Sequence, residues 1–163
     1  MNRRTWAPRG QRPTQRGWQR RDRLSVIASL HVSPRGRLGH SFAIHSHNIR
    51  APDVMAYLKT LRRQLGRPLV VVLDRLSAHR TAVRQLLEQG VSWLTAEWLP
   101  GYAPDLNPVE ALWSHSKYST LANFLPDDVD ELFDHVAEAV DSVHADQHLL
   151  ASFFQAATLP LIP

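Results

Sequence analysis

The sequence predicts an α/β domain in which strands and helices alternate along the chain. Two short apolar or alternating segments, residues 24–31 and 38–45, flank the turn sequence Ser-Pro-Arg-Gly, a pattern typical of a β-hairpin. Apolar side chains recur at helical spacing through residues 52–65, between an early Pro and a terminal Gly, which predicts an amphipathic helix. The run PLVVVLD at residues 68–74 is solidly apolar and predicts a strand buried on both faces.

The second half of the sequence continues this alternation. A strand, helix, strand unit with a right-handed crossover is expected, followed by a turn-rich stretch and a group of helices. These elements are predicted at residues 78–89 (helix), 92–99 (strand), 101–108 (turns), 109–116 (helix), from 127 (helix) and 148–158 (short helix).

Length and composition favour one globular domain. The chain has 163 residues, of which 44% are hydrophobic and 21% charged, and no apolar run approaches the roughly 18 residues of a membrane span. The absence of Cys excludes disulfides and thiolate metal sites and fits a reducing, cytoplasmic interior. Residues 1–23, rich in Arg and Gln, are predicted to form an arm or hairpin before a domain at residues 24–163.

Charge is distributed unevenly along the sequence. Eighteen of the 19 Lys and Arg residues precede residue 92, and 11 of the 15 Asp and Glu residues follow it. Arg pairs bidentately with phosphate, so a polyanion such as nucleic acid is a plausible partner for the basic half. The alternative is that the two halves neutralise each other across the fold.

Asp74 stands at the carboxyl end of the predicted apolar strand. Ligand sites in open α/β sheets gather beyond the carboxyl ends of strands, which makes this carboxylate a candidate site residue. The alternative interpretation is that it caps the following loop or helix.

Glu110 also has two interpretations. Asn107, Pro108 and Glu110 match a capping box, in which the Glu side chain reaches back to the backbone amide of the cap. The rigid surroundings supplied by Tyr102 and Pro104 instead favour a carboxylate that is held in place for a metal.

Two longer segments carry a family resemblance. LVVVLDRLSAHR followed by EWLPGYAPDLNPVEALWSHSK resembles the DDE endonuclease domain of mariner-like insertion-sequence transposases. In that family a strand-end Asp precedes a His-containing turn and a Pro-Tyr-x-Pro-x-Leu-Asn-Pro-x-Glu segment. The 35 residues between Asp74 and Glu110 are similar to the family's spacing between its second and third acids. Residues 6–11 (WAPRGQ) and 24–30 resemble its first hairpin, so the resemblance extends over nearly the whole chain.

The resemblance implies a ribonuclease H-like mixed sheet flanked by helices, with three carboxylates around two Mg²⁺ or Mn²⁺ ions. Asp74 and Glu110 would be two of these metal-binding, catalytic carboxylates. The implied activity is metal-dependent cleavage and joining of phosphodiester bonds at insertion-sequence ends. DNA would be the partner, and the full-length transposase would act as a homo-oligomer.

The sequence departs from the family pattern in two places. Arg75 stands where the family usually has Asn directly after the second acid. The family's first acid lies on a strand before the Trp-Ala-Pro hairpin, so the domain is expected to be incomplete at its N-terminus and to lack the first central strand. Neither Asp22 nor Asp53 is at a position to replace that acid. These residues alone are therefore expected to be inactive unless an upstream frame product supplies the strand.

Weaker candidates complete the set of site residues. Arg75, His79, Arg80 and Lys117 are possible phosphate contacts, and His79 either orients the site or simply begins a helix. His45 and His47 have no third ligand nearby in the sequence, so the pattern favours a solvated strand end over a metal site. Two other functions stay open, an inactive DNA-binding transposase remnant and a ribonuclease H-type nuclease.

Overall fold

The structure, a computed structural model, describes Arg9 and residues 24–122, 124, 126–144 and 146–159. Apart from Arg9, the predicted arm at residues 1–23 lies outside the described residues. The described strands are β1 (Ser25–Val32), β2 (Leu38–His45), β3 (Leu69–Leu73) and β4 (Leu94–Trp98). The α-helices there are α1 (Ala51–Leu65), α2 (Ser77–Glu88), α3 (Pro108–His115), α4 (Val129–Asp141) and α5 (Gln147–Ala156). A 3₁₀ turn, Pro104–Leu106, precedes α3, and a π-helical segment, Ser116–Thr120, follows it.

The predicted hairpin is present. β1 and β2 pair antiparallel, from Ser25 opposite His45 to Val32 opposite Leu38. Gly36 has a φ of 75° in the turn, a conformation that glycine adopts without the steric cost a side chain would add. The turn is closed by the Gly36 amide, which donates to the Ser33 carbonyl at 2.8 Å. Local turn chemistry therefore sets the register of this pair.

β3 and β4 pair in parallel, from Leu69 beside Leu94 to Leu73 beside Trp98, and α2 connects them. The described strands thus form one antiparallel and one parallel two-stranded sheet. The prediction that β3 is buried on both faces is wrong, since Val70 is 73% exposed and Val72 58% exposed. The described helices cover only the face that carries Val71.

The first core cluster lies between the helix pair α1–α2 and the strands. Its buried members are Val54, Leu58, Ala82, Leu86 and Leu94. Ile27 of β1 and Val71 of β3 both pack against this cluster, so the two sheets rest on a common layer of helices.

Tyr57 joins α1 to the hairpin. Its hydroxyl donates to the Ser41 carbonyl at 2.7 Å and accepts from the Ser29 hydroxyl, also at 2.7 Å. Burial raises the pKa of Tyr57 to about 12, so the phenol keeps the proton it donates.

The C-terminal helices form the second core cluster with the hairpin. Its buried members are Leu38, Leu112, Val143, Leu150, Phe153 and Phe154. Gln147, at the start of α5, accepts from the Leu38 amide at 3.0 Å and donates to the Leu38 carbonyl at 2.9 Å. This pair of bonds fixes the C-terminal helices to the first residue of β2.

Within the described ranges, every helix is too short or too polar to cross a lipid bilayer.

Candidate functional site

The two acids singled out in the sequence line one cleft. Asp74 directly follows β3, and the loop that follows β4 leads into α3, which carries Glu110. Because β3 and β4 are parallel, their carboxyl ends meet at one edge, where ligand sites of α/β sheets form. The cleft there has a volume of about 200 Å³ and is lined by Asp74, Arg75, Leu99, Pro100, Gly101, Tyr102, Ala103, Pro104, Asn107 and Glu110.

One oxygen of Asp74 is engaged by the protein. Oδ1 accepts from the Leu76 amide at 3.0 Å and from His79 Nδ1 at 2.5 Å. An ionised carboxylate can only accept, so Nδ1 is the protonated nitrogen of this imidazole. The Asp74 side chain is 49% exposed, and within the described part of the chain Oδ2 makes no hydrogen bond or ion pair. The capping interpretation therefore holds for one oxygen of Asp74, which shapes the turn, while the other oxygen is available to a ligand.

His79 begins a helix, as one of its two interpretations predicts, and it also contacts Asp74. It lies in the first turn of α2, and its side chain, 17% exposed, contacts Asp74. A largely buried ring that holds one carboxylate oxygen restricts the rotation of the carboxylate, as the outer partners of metal ligands do.

The capping-box interpretation of Glu110 is wrong in its second half. Asn107 does cap α3, since its Oδ1 accepts from the Val109 amide at 3.2 Å. The Asn107 amide, however, donates to the Pro104 carbonyl at 2.9 Å. This bond closes the 3₁₀ turn, so the amide already has an acceptor other than the Glu110 side chain. Glu110 is exposed, and no described residue hydrogen-bonds to its carboxylate or pairs with it. Its carboxylate is therefore available to a ligand.

Arg75 spans the ends of the two parallel strands. Its Nε donates to the Leu99 carbonyl at 3.1 Å, so the guanidinium is fixed at the wall of the cleft and leaves other N–H groups to bind an anion. The residue that departs from the family pattern thus has a structural role in addition to its charge.

Tyr102 shows a feature that the sequence does not predict. Its φ is 56° and its side chain is 106% exposed. A bulky residue in the left-handed region is uncommon, and such strain concentrates at functional sites. The sequence indicates only a stiff turn here, because nothing in the neighbouring residue types specifies which of them takes the strained conformation.

The remaining weak candidates lie outside the cleft. Arg80 lines a separate groove of about 270 Å³ on α2 together with Ser77, Thr81 and Arg84. Lys117 is exposed on the π-helical segment after α3 and is not among the residues that line the cleft.

The pair His45 and His47 acquires a third neighbour from α1. One ligating atom from each of His45, His47 and Asp53 lies within 4.8 Å of the others, and His47 Nε2 is 3.2 Å from Asp53 Oδ1. Asp53 also accepts from the Arg50 amide at 2.8 Å and so caps α1. That backbone bond, followed by the His47 bond, lowers the pKa of Asp53. Asp53 and His47 are therefore explained as a helix cap beside a strand end, whereas Nε2 of the half-buried His45 has no hydrogen-bond partner among the described residues.

Comparisons with known proteins agree with this architecture. The sequence model of the family described as DDE superfamily endonuclease matches residues 1–133. A search of curated proteins gave no match. The chain is similar to the crystal structure of the Mos1 mariner paired end complex with Mn, at 18% identity and a TM-score of 0.62, over 96% of this chain and 48% of that one.

Two further solved structures are similar to the chain. They are the Mos1 strand transfer complex (18% identity, TM-score 0.57) and the Mos1 transposase paired-end complex with left transposon end (16% identity, TM-score 0.56), each matched over 96% of this chain and 47% of that one. The chain therefore spans about half the length of these chains. The likeness confirms the predicted ribonuclease H-like α/β fold. With its sequence model matching residues 1–133 of the 163, the family is established, and this chain belongs to the DDE superfamily endonucleases.

Proposed function

We propose that this chain is part of the catalytic domain of a DNA transposase and that Asp74 and Glu110 hold a divalent cation against a phosphodiester in the cleft. The observation that carries the proposal is that these two carboxylates line one cleft at the ends of β3 and β4. Membership of the DDE endonuclease family and the likeness to complexes named for Mos1 transposase support it.

The donor set fits a hard cation. Glu110 and Oδ2 of Asp74 are carboxylate oxygens without partners among the described residues, and Mg²⁺ and Mn²⁺ prefer such oxygens. One of the similar structures is named as a complex with Mn. The full site would hold two ions. Held in part by Asp74 and Glu110, they would supply activation of water or a 3′-hydroxyl and stabilisation of the leaving oxygen of an in-line phosphodiester displacement.

The surrounding residues position these groups and bind the anionic substrate. The bond from His79 to Asp74 orients the carboxylate. Arg75, fixed to the Leu99 carbonyl, places positive charge where a phosphate would enter the cleft. Lys117, on the segment that follows α3, is a weaker candidate for contact with the DNA backbone.

We also propose that the complete site needs a third carboxylate and another strand. Among the described residues that line the cleft, the acids are Asp74 and Glu110. β1 and β3 each pair on one edge only within the described residues, although Ile27 and Val71 pack against the same helices. A strand that carries the first acid would fill both edges, and an upstream segment or frame product is its proposed source.

This requirement predicts that the 163 residues alone cleave element-end DNA at the background rate with Mg²⁺ or Mn²⁺. Adding an N-terminal segment that supplies a strand ending in Asp should produce cleavage and strand transfer, measured with labelled duplex DNA. The matched control is the same segment with that Asp replaced by Asn, which keeps the strand but removes the ligand. Equal cleavage by the short and extended chains would contradict the requirement.

The rival function is an inactive DNA-binding remnant, which the extension experiment distinguishes. For a remnant, the added strand would leave cleavage at background while salt-sensitive DNA binding persisted. A side-by-side assay on duplex DNA and on an RNA:DNA hybrid separates the transposase from a ribonuclease H-type nuclease.

DNA contact by the α2 groove is a separate prediction. Arg80 and Arg84 line it, and each phosphate contact contributes about 0.9 to the slope of log K against log salt. The double substitution of both residues by Ala should therefore reduce that slope by about 1 to 2, as measured by fluorescence anisotropy over a salt series. Arg63→Ala, an exposed Arg on α1, is the matched control. An unchanged slope in the double variant would remove the groove from the interface.

In the full-length protein we propose a homo-oligomer acting in the cytosol or nucleoid. The support is that the similar structures are named as paired-end and strand transfer complexes.

A further inference from the structure

A second group of ligating side chains lies where α4 meets the hairpin, apart from the acidic cleft. His40 comes from β2, Asp141 ends α4, and His144 follows it. One ligating atom from each lies within 4.8 Å of the others. His40 is only 4% exposed, whereas Asp141 and His144 are exposed.

His40 has an unexplained buried nitrogen. Its Nδ1 is buried and has no hydrogen-bond partner among the described residues, although buried polar atoms are normally paired. The His144 ring lies edge-on to it, with ring centroids 5.2 Å apart. Burial, and then the nearby His144, lowers the pKa of His40, although Asp141 and a hydrogen bond to the Val140 backbone oppose this. The lowered pKa favours the neutral form of the ring, which is the form that binds a metal.

His31 is a half-buried histidine of the neighbouring strand, on the opposite face of the hairpin from His40, because its neighbour Leu30 is the residue paired with His40. It pairs across the hairpin with Gly39, and a Cβ at Gly39 would collide with His31 Nε2. The glycine therefore makes room for this ring. His31 Nδ1 is also buried without a partner in the described chain. Burial is the largest cause that lowers the pKa of His31, and His40 and His144 add to it.

We propose that His40, Asp141 and His144 bind a divalent transition-metal ion such as Zn²⁺, with water as the fourth ligand. Two imidazoles and a carboxylate suit Zn²⁺ rather than Mg²⁺, which prefers oxygen ligands alone. In a tetrahedral site with bonds of about 2.0–2.1 Å, ligand atoms lie about 3.3 Å apart. The ligating atoms lie within 4.8 Å of one another, so metal binding would require the exposed side chains of Asp141 and His144 to rotate closer to His40.

The ion would fasten the end of α4 to β2. Gln147 already joins α5 to Leu38 in the same strand, so the metal would add a second attachment of the C-terminal helices to the hairpin. This structural metal is independent of the proposed function, because His40, Asp141 and His144 do not line the acidic cleft.

The test is a Zn²⁺ titration of the full chain by isothermal calorimetry, together with thermal unfolding. The wild type should bind one Zn²⁺ at this site and unfold at a higher temperature with the metal. His144→Ala and Asp141→Asn change exposed residues and should weaken binding by at least about tenfold. They should also lose the metal-dependent rise in unfolding temperature. Matched controls are His47→Ala, in the other histidine cluster, and Asp105→Asn, an exposed acid of the 3₁₀ turn, and both should retain the binding.

A gain-of-signal variant makes the test independent of stability. The chain contains no Cys, so His144→Cys would introduce its only thiol. With Co²⁺ as the probe, a thiolate-to-cobalt charge-transfer band should appear in this variant and not in the wild type. Absence of the band would overturn the proposal, as would unchanged Zn²⁺ affinity in His144→Ala and Asp141→Asn, or loss of binding in His47→Ala.

Discussion

Replacing Asp74 by Asn, in a version of the protein that carries the upstream strand, is expected to lower strand transfer by at least about a hundredfold, the usual effect of losing a group that stabilises transition-state charge. Asn keeps an oxygen that accepts from the Leu76 amide and His79, so the turn after β3 should remain intact. What is lost is the negative charge that attracts the cation. Glu110→Gln should have an effect of the same order, because it removes the other proposed metal-binding carboxylate. Since Glu110 makes no stabilising contact among the described residues, the substitution should leave the folding stability unchanged. Single-turnover strand transfer with Mn²⁺ measures both variants.

Asp105→Asn is the matched control for these substitutions. Asp105 is an exposed acid in the 3₁₀ turn between β4 and α3, and it does not line the cleft. Its substitution should leave strand transfer close to the wild-type rate. His79→Ala, which removes only the orienting contact to Asp74, should weaken Mn²⁺ binding by about 10–100-fold. Unchanged strand transfer in Asp74→Asn or Glu110→Gln would rule out the assignment of these carboxylates as metal ligands.

The second large effect is expected at Leu86. This side chain is 0% exposed in the core between α1, α2 and the strands. Leu86→Ala should lower the free energy of unfolding by about 2–5 kcal/mol, through lost burial and the cavity that remains. Leu87, the next residue in α2, is 52% exposed, and Leu87→Ala should cost about 1 kcal/mol or less. Urea denaturation followed by circular dichroism measures both.

The two adjacent leucines are a controlled comparison, because residue type, helix and substitution are the same and only burial differs. Similar losses of stability in both variants would show that the α1–α2 core is not packed as described here. A larger loss at Leu87 would mean that another surface covers this face of α2.

Much of the fold follows from local sequence signals. The hairpin turn with Gly36, the amphipathic spacing of α1 and the apolar run of β3 each specify an element through interactions between near neighbours. The candidate site was found in the same way, because Asp74 ends a strand and Glu110 begins a helix in a specific segment. Their presence in one cleft then follows from the parallel pairing of β3 with β4, which the strand, helix, strand order predicts.

Other features depend on which of several competing contacts forms in the folded chain, and the sequence pattern does not decide this. The Glu110 capping interaction fails because the Pro104 carbonyl already binds the Asn107 amide. Val70 and Val72 are exposed because the described helices cover only one face of β3. An apolar run predicts a strand, but it does not predict whether one face or both faces of that strand are covered. The strained backbone of Tyr102 is also a property of the assembled loop.

The sequence by itself determined the elements, their order and the family, since these rest on periodicity, turn residues and a specific motif read over short distances. The tertiary structure alone decided which polar groups are left without partners. His40 and Asp141 lie far apart in the chain and meet only because α4 packs on β2. Within the described residues, Glu110 makes no bond to the Asn107 amide, because that amide donates to the Pro104 carbonyl instead. The physical reason is that burial and hydrogen-bond satisfaction depend on every element that surrounds a group, whereas the sequence pattern reports only its neighbours along the chain.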